Sequence, residues 1–404
     1  MKRKKKGVLL GNLMGAICLA VLVAVPMVLD CKAQAQKATP MPGIPKTMFI
    51  ISGAPTGSGE YAATLAIAEA MEKYFGIPVR TTTPEAVRDR YYELRTGGGH
   101  MVYTDAASNP ALSLQGDGAF AAAGEGPQQL RAAWYNTETV CTWVVRGNSD
   151  IKRIYDIKGR KVVKATHSPL VLAAFEGLLA FTGLSEKDVT VVPVGSWAGQ
   201  VKAVGAGKGD IGYTSNTTAA AIEVQAGPRG LRWLSMPHKD KEAWKRYLKV
   251  VPTDYPSTMT RGVKEARGVE GTATARVITF HADASEQFVY QITKFMGEQY
   301  NSYKDKYVTL ADSSLKAQRK WLDVCPLPYH PGAIRYLKEI GVWTAKDDVW
   351  NSEVLKLAER YQKAWKLAMK KAQEQGITVS VTNPKWLSLW REVKGQIPPF
   401  QTRL

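Results

Sequence analysis

The chain has 404 residues and a formal net charge of +18 at pH 7. That length allows two or three domains, or one large two-lobed unit, with a core that needs neither disulfides nor a metal. Hydrophobic residues make up 45% and charged residues 22% of the chain, which excludes wholesale disorder and a polytopic membrane protein. The positive charge leaves nucleic acid, a membrane surface and an anionic small molecule open as partners.

The first thirty-five residues have the pattern of a secretory signal peptide. A basic cluster at residues 2–6 precedes an apolar run over Val8–Leu29 and the small-x-small motif Ala33–Ala35. We expect cleavage after residue 35 and a periplasmic location. An uncleaved membrane anchor is the alternative, because the apolar run is almost long enough to span a bilayer. Residues 1–35 hold six positive charges and one negative charge, so cleavage leaves +13 of the +18.

After a proline-rich leader at residues 36–47, which we expect to be extended, strands and helices alternate. The predicted strands are Met48–Ser52, Val79–Thr83, Met101–Tyr103, Thr139–Arg146, Lys161–Ala165, Val189–Pro193, Ile211–Thr214 and Thr274–His281. The predicted helices include Tyr61–Phe75, one with Pro84 in its first turn, Leu170–Thr182, Ala198–Val204, Thr218–Gln225, Ser285–Met296 and Val349–Gln375. Alternating elements of this kind predict parallel sheets with right-handed crossovers, and the tail from Ser314 is predicted to be mainly helical.

Local catalytic and metal motifs are absent from the sequence. Lys208 is followed by Gly209 rather than Ser or Thr, so a phosphate-binding loop is not predicted there. The five histidines are scattered, and no paired His or Cys spacing indicates a zinc site. Aromatic residues are not interleaved with a basic stripe, which argues against nucleic-acid binding. We therefore expect a binding protein rather than an enzyme, with no metal and no cofactor.

Four cysteines exclude a disulfide scaffold. Cys141 and Cys325 remain after cleavage of the signal peptide. An exported chain can pair them, and the sequence leaves that question open.

Two turns in the sequence have the pattern of a small-anion site. The Gly-rich turn at residues 53–59 lies between a strand and a helix, and residues 165–169 repeat that arrangement. Unpaired amides and the dipole at a helix N-terminus favour an anion. The alternative is that the glycines only allow a tight turn and Ser168 only caps a helix.

Four stretches resemble one known family. They are Gly57–Tyr61, Ser149–Val162, Gly209–Ile222 and Leu327–Ala333, the last with the motif Leu-Pro-Tyr-His-Pro-Gly-Ala. Together they are similar to the TAXI-type solute-binding proteins of tripartite ATP-independent periplasmic (TRAP) transporters. The resemblance runs from about Phe49 to Trp343.

The resemblance implies an α/β type II periplasmic-binding-protein fold, in which two α/β lobes are joined by two crossing strands. Thr139–Arg146 and Thr274–His281 resemble those crossing strands. The expected organisation is lobe 1 at residues 48–140 and 276–343, lobe 2 at residues 141–275, and a C-terminal helical extension at residues 344–404.

The resemblance also implies a receptor that binds a small carboxylate or amino acid between the lobes and delivers it to TRAP membrane permease subunits. The candidate ligand-binding residues are Thr56, Gly57, Ser58, Gly59, Tyr61, Tyr103, Thr104, Asp105, Thr166, His167, Ser168, Trp197, Tyr213 and Asn216. Aromatic rings would pack the carbon frame of the ligand, while hydroxyls and amides would take its charge.

The turns in the expected cleft depart from the family pattern, and Glu60 replaces an aromatic or small polar residue. Glu60 would repel an acid or attract an ammonium group, or it is a surface charge suited to the first turn of a helix. Three other interpretations remain open. They are an ABC-type or sensor-linked receptor, an enzyme of the same fold such as hydroxymethylbilane synthase, and an envelope protein that binds anionic polymer.

Overall fold

A computed structural model describes residues 41–54, 56, 58–84, 86–165 and 169–403. The predicted signal peptide and residues 36–40 of the leader lie outside the described residues. Over residues 41–47 the chain is not extended as predicted, because the Ile44 amide donates to the Met41 carbonyl at 3.1 Å and closes a turn. Both side chains pack against the hydrophobic core, which accounts for the turn.

Strands and helices alternate through most of the described chain. The strands are β1 (Met48–Ser52), β2 (Val79–Thr82), β3 (Met101–Ala106), β4 (Leu130–Arg146), β5 (Lys161–Ala165), β6 (Thr190–Val194), β7 (Ile211–Ser215), β8 (Leu231–Leu234), β9 (Asp254–Thr258) and β10 (Glu270–His281). The helices are α1 (Gly59–Phe75), α2 (Val87–Arg95), α3 (Ser108–Gln115), α4 (Pro169–Thr182), α5 (Trp197–Gly205), α6 (Ala219–Ala226), α7 (Lys241–Val250), α8 (Glu286–Glu298), α9 (Tyr300–Tyr303), α10 (Leu315–Asp323), α11 (Pro331–Glu339), α12 (Ala345–Glu374) and α13 (Pro384–Lys394).

One continuous sheet connects the two halves of the molecule. Its strand order is β2-β1-β3-β10-β4-β7-β5-β6, with β8 paired to β4 and β9 paired to β10. The strands β1, β2 and β3 pair in parallel, as do β5, β6 and β7, whereas β4 and β10 pair antiparallel to each other and to their other neighbours. The two antiparallel strands are the only named strands in the described chain longer than six residues, so they cross from one half to the other.

Each half has its own hydrophobic core. We call lobe 1 the part built from β1–β3, α1–α3 and α8–α13 with the first half of β4 and the last half of β10, which share one cluster. We call lobe 2 the part built from α4–α7 and β5–β9 with the remaining halves of β4 and β10, which hold two further clusters. Two α/β lobes joined by two crossing strands make the type II periplasmic-binding-protein fold, and this prediction is confirmed.

The C-terminal helices belong to the core of lobe 1. Trp365, Trp386 and Trp390 form an aromatic cluster with ring centroids 5.0–6.5 Å apart. The Trp386 Nε1 group donates to the Ala121 carbonyl at 2.8 Å, and Trp386 is fully buried. The extension predicted from the sequence is therefore an integral layer of lobe 1.

Several local predictions need correction. Pro84 does not lie in the first turn of a helix, because α2 begins at Val87 after the N-cap residue Ala86. The strands β8 and β9 and the lysine-rich helix α7 were not predicted. The two cysteines of the described chain are both buried and free, and the Cys325 thiol accepts a hydrogen bond from the Tyr135 hydroxyl at 2.8 Å. No helix in the described part of the chain has both the length and the apolar composition to cross a bilayer.

Asp347 holds three parts of lobe 1 together. Its carboxylate accepts from Arg319 of α10 at 2.7 and 3.0 Å, from the Thr344 amide and hydroxyl at 2.8 and 2.6 Å, and from Arg403 near the C-terminus at 2.8 Å. Burial raises the pKa of this carboxyl, but the hydrogen bonds from Arg319, Thr344 and Arg403 outweigh it and hold the pKa well below its usual range. A lowered folded-state pKa stabilises the fold above the unfolded-state pKa, and that contribution is lost as the pH falls.

Replacing Asp347 tests this role. We expect Asp347→Asn to lower the free energy of unfolding by about 3 kcal/mol near neutral pH, because two arginines lose their buried partner. The difference from the wild-type chain should shrink as the pH drops below about 4, where the unfolded carboxyl is protonated. Urea unfolding at several pH values measures both effects.

Asp323→Asn is the matched control, since Asp323 also pairs with Arg319 but its side chain is 61% exposed. It should cost less than about 1 kcal/mol. Equal losses for the two variants would contradict the role assigned to Asp347.

Candidate ligand-binding site

The strand register brings the carboxyl ends of β3 in lobe 1 and of β7 in lobe 2 to the same stretch of the crossing strands. Ala106, at the end of β3, pairs with Arg276 of β10, and Arg276 pairs with Thr137 of β4. Ser215, at the end of β7, pairs with Cys141 of β4. Thr137 and Cys141 are four residues apart, about 13 Å along a strand. The two edges that carry ligand sites in open α/β sheets therefore face each other across a short polar floor.

The floor carries an arginine paired with a glutamate. Thr139 and Arg276 share one face of the sheet, where the Arg276 Nε group donates to Thr139 Oγ1 at 3.2 Å. Arg276 Nη2 lies 3.3 Å from Oε1 of Glu60, which is in the first turn of α1. The two side chains are 16% and 28% exposed, so both remain within reach of a ligand. The floor thus offers one cation and one anion side by side.

The start of α1 forms the wall of lobe 1. Ser58 is its N-cap residue, and the Ser58 hydroxyl accepts from the Tyr61 amide at 3.1 Å. A Cβ atom on Gly59 would lie 2.7 Å from the Tyr307 hydroxyl, so a larger residue there would displace the Tyr307 side chain. Thr56 is exposed in the preceding turn. The first amides of a helix and its dipole favour a negative group at this position.

Asp105 supports that wall from inside. Its carboxylate is fully buried and accepts from Tyr91 at 2.9 Å and from Asn109 at 2.7 Å, and Arg90 lies 3.6 Å away. Burial raises the pKa of Asp105, opposed by Arg90, Asn109 and Tyr91. A Cβ atom on Gly53 would lie 2.5 Å from the Asp105 backbone, so only glycine allows this close approach. Asp105 therefore positions the Gly-rich turn.

The neighbours of Asp105 differ in their surroundings. Thr104 has a φ of 59°, the only positive value at a described residue other than glycine, and it lies where β3 and β10 shift register. Strained backbone of this kind persists where the surrounding structure enforces it. Tyr103 is fully buried in the core of lobe 1, and this burial raises its pKa. The structure thus places the Tyr103 ring in the core and not on the cleft surface.

Aromatic side chains form the wall of lobe 2. The ring of Tyr213 lies 5.7 Å from that of Trp197 and 5.1 Å from that of Trp143. The Trp197 Nε1 group donates to Thr218 Oγ1 at 3.1 Å, which fixes the indole at the start of α5. Tyr213 is 7% exposed, and burial raises its pKa, so its hydroxyl stays protonated at neutral pH. Trp143 and Tyr213 belong to the core of lobe 2, whereas Trp197 is only partly buried, so its ring can pack the carbon frame of a ligand.

An ion pair joins the two lobes beside the floor. Arg261, in the β9–β10 connection of lobe 2, forms a close ion pair with Asp312 of lobe 1. Asp312 also accepts from the Thr137 hydroxyl at 2.5 Å. The Asn216 side chain donates to the Arg261 carbonyl, and the Val263 amide donates to the Asn216 carbonyl at 3.2 Å, which holds the connection in place. We call Arg261, Asp312 and Thr137 the interlobe latch.

The sequence-based predictions therefore divide into three groups. Thr56 is exposed and Ser58, Gly59, Tyr61 and Trp197 are partly exposed, whereas Thr104, Tyr213 and Asn216 are buried. Tyr103 and Asp105 are buried behind the lobe 1 wall. Gly57, Thr166, His167 and Ser168 lie outside the described residues.

Sequence reasoning missed Arg276 and the interlobe latch. The alternation Thr272-x-Thr274-x-Arg276, which runs into the predicted strand Thr274–His281, was an available signal, since in extended chain it puts three polar side chains on one face. Nothing in the sequence showed that this face lines the cleft. Within the described ranges, no group of three or more His, Cys, Asp or Glu side chains is placed to hold a metal ion.

A two-lobed α/β fold with a polar floor between its lobes defines the class of this protein, and a family match specifies it further. Residues 51–341 match the model of the NMT1-like family, and the chain belongs to that family. No curated protein matches the chain.

Several solved structures are similar to this chain at low identity. The periplasmic aliphatic sulphonate binding protein SsuA from Escherichia coli is 15% identical, with 79% of this chain and 88% of that chain covered and a TM-score of 0.42. An ancestral arginine-binding protein bound to arginine is 16% identical, with 65% and 97% covered and a TM-score of 0.38. PhnD1 from Prochlorococcus marinus (MIT 9301) in complex with methylphosphonate is 12% identical, with 62% and 82% covered and a TM-score of 0.37. Similarity at this level indicates nothing about the ligand of this chain.

The interlobe latch generates a prediction about lobe closure. Arg261 and Asp312 are 30% and 28% exposed, so their pair should be worth up to about 1 kcal/mol. We expect Arg261→Gln and Asp312→Asn each to shift the unliganded chain towards more open lobes by up to about fivefold in population. Small-angle scattering measures this shift as a larger radius of gyration.

The double variant should open no further than either single variant, because the two side chains act through one interaction. Arg153→Gln is the control, since Arg153 pairs with Asp156 within lobe 2. A latch role is excluded if the Arg153 variant opens the lobes as much as the Arg261 variant.

Proposed function

We propose that this protein is an extracytoplasmic solute receptor that binds a small carboxylate or amino acid between its two lobes. The observation that carries the proposal is the Glu60–Arg276 pair on the floor between the lobes. Burying charges is costly unless they are paired or engaged by a ligand. This pair is partly exposed where the carboxyl ends of the strands of the two lobes meet. It is well placed to exchange its internal contact for contacts to a ligand.

The chemistry of the floor favours a ligand with a carboxylate. Arg276 can donate two parallel hydrogen bonds to a carboxylate, and the amides at the start of α1 add further donors. Glu60 can accept from an ammonium group, so the pair matches both charges of an amino acid. Trp197 of lobe 2, backed by the buried ring of Tyr213, supplies apolar surface for the carbon frame.

Lobe closure is the proposed mechanism. A ligand that contacts both lobes favours the closed state by its differential affinity for that state. The proposed partner is the membrane permease of a TRAP transporter, on the strength of the four stretches that resemble TAXI-type proteins. The energy source of uptake separates the two transporter classes: a sodium or proton gradient supports a TRAP permease, and a requirement for ATP would replace it with an ABC permease.

Ligand binding should be detectable as stabilisation of the purified protein. We expect at least one member of a panel of amino acids, keto acids and dicarboxylates to raise the melting temperature, because a ligand that binds only the folded state adds its binding energy to stability. Mass spectrometry of the denatured protein identifies any ligand retained from the cell. A panel that gives neither a thermal shift nor a change in small-angle scattering would contradict the proposal.

Removing the Glu60 charge should distinguish two ligand classes, whereas removing the Arg276 charge should weaken both. We expect Arg276→Gln to weaken binding of every carboxylate by about 2 kcal/mol, or about thirtyfold, because a charge-assisted hydrogen bond is lost. Glu60→Gln should weaken the binding of amino acids, because it removes the partner of their ammonium group. It should leave the binding of dicarboxylates unchanged or strengthen it, because it removes a charge of the same sign as theirs. Isothermal titration calorimetry with one ligand of each class measures the difference.

Arg160→Gln is the control, because it removes the same charge from an arginine that pairs with Asp150 on the surface. It should leave both affinities unchanged. Parallel losses for the two ligand classes in the Glu60 variant would show that Glu60 only supports Arg276.

A further inference from the structure

A concave site on lobe 2 shares no lining residue with the floor of the cleft. It is a groove of about 710 Å³ between α7 and the C-terminal tail. The residues that line it are Lys241, Trp244, Lys245, Leu248, Lys249, Pro256, Pro399 and Gln401. We call this the α7 groove.

One rim of the α7 groove is a row of three lysines. Lys241, Lys245 and Lys249 are four residues apart on α7, so they lie along one face of the helix, and all three are exposed. Within the described residues, no hydrogen bond or ion pair engages any of the three ammonium groups. Like charges at this spacing destabilise a helix slightly, so the row is more readily explained by an anionic partner than by helix stability.

The groove also has an apolar component. Leu248 and Pro256 are half-buried on the lobe 2 side, and Pro399 is exposed on the opposite side. The groove therefore combines three cations on its rim with an apolar floor. A simple inorganic anion would engage the rim and leave the apolar surface in contact with water.

The tail that forms the far wall is fixed at several points. The Phe400 amide donates to Gln115 of lobe 1 at 2.9 Å, and the Thr402 amide donates to the Pro252 carbonyl of lobe 2 at 2.8 Å. Arg403 binds Asp347 of lobe 1 at 2.8 Å. The wall is thus a defined surface that contacts both lobes.

We propose that the α7 groove docks an acidic, partly apolar peptide segment of a partner protein. Charge complementarity selects carboxylates for the lysine rim, and the apolar floor selects aliphatic side chains between them. Concavity favours a protruding segment over a membrane, since a flat layer of anionic headgroups would touch the rim but not the floor. The occupant would contact α7 of lobe 2 and the tail that joins both lobes.

The test measures binding of a fluorescent peptide of alternating glutamate and leucine to the full-length chain. We expect saturable binding by fluorescence anisotropy that weakens as salt is raised, because exposed charges are screened. The same peptide with glutamine in place of glutamate should bind at least about tenfold more weakly. Equal binding of the two peptides would overturn the proposal.

Two triple variants locate the site. Lys241→Gln, Lys245→Gln and Lys249→Gln together should weaken peptide binding by about tenfold. The matched triple is Lys346→Gln, Lys363→Gln and Lys366→Gln, which removes the same charge from exposed lysines of α12 and its start. It should leave binding unchanged, and equal losses in both triples would overturn the proposal in favour of general electrostatic attraction.

Gln401→Glu adds a test that does not involve α7. Gln401 is exposed, so a charge there should not disturb folding, yet it should weaken binding of the acidic peptide.

A soluble short-chain phosphatidylglycerol is the competing probe. If it binds in a manner that depends on the α7 lysines while the peptide does not bind, the groove faces a membrane and the proposal fails. Peptide binding is measured without solute, so its outcome is independent of the proposed receptor function.

Discussion

The antiparallel pairing of β4 with β10 is the constraint on which the rest of the structure depends. It runs from Thr272 opposite Cys141 to His281 opposite Leu130, with register shifts on the way. Because each strand also pairs with parallel strands of one lobe and continues into the other, the pairing determines where both carboxyl edges lie. It also decides which side chains share the floor. Arg276 faces the cleft because the register pairs it with Thr137 of β4. A shift of the register by one residue would turn the Arg276 side chain to the other face of the sheet.

Charges within this framework are supported in different ways according to their task. Asp105 and Asp347 are almost fully buried and have several hydrogen-bond donors each, so they organise a turn and a helix junction. Arg276 and Glu60 are less buried and have few other partners. The difference is physical: saturated buried carboxylates cannot be exchanged without a large cost, whereas a partly exposed pair can. This contrast distinguishes the groups that build the cleft from the groups proposed to bind in it.

The C-terminal extension changes how the two lobes are connected. Two crossing strands and the interlobe latch already join them, and the tail adds contacts at Pro252 of lobe 2 while Phe400 and Arg403 stay on lobe 1. The aromatic cluster of α12 and α13 anchors the extension firmly to lobe 1. The extension therefore couples the core of one lobe to the edge of the other, close to the lysine row of α7.

The amino-acid sequence by itself determined the alternation of strands and helices, since hydrophobic periodicity, caps and Gly–Pro stops are local signals. It was sufficient for β1, β5 and the C-terminal end of α4, and with the family resemblance it led to the correct fold class. It also indicated the Gly-rich turn and the aromatic residues of lobe 2. It could not show that Tyr103 and Tyr213 both pack into a core, because each lies in the middle of a strand whose burial depends on the neighbouring elements. Only the tertiary structure decided that Arg276 meets Glu60, that Arg261 reaches Asp312, and that the basic face of α7 borders a groove. Those contacts join residues more than fifty positions apart or from separate elements, and their geometry depends on strand register and on how the chain folds back, which no local pattern encodes.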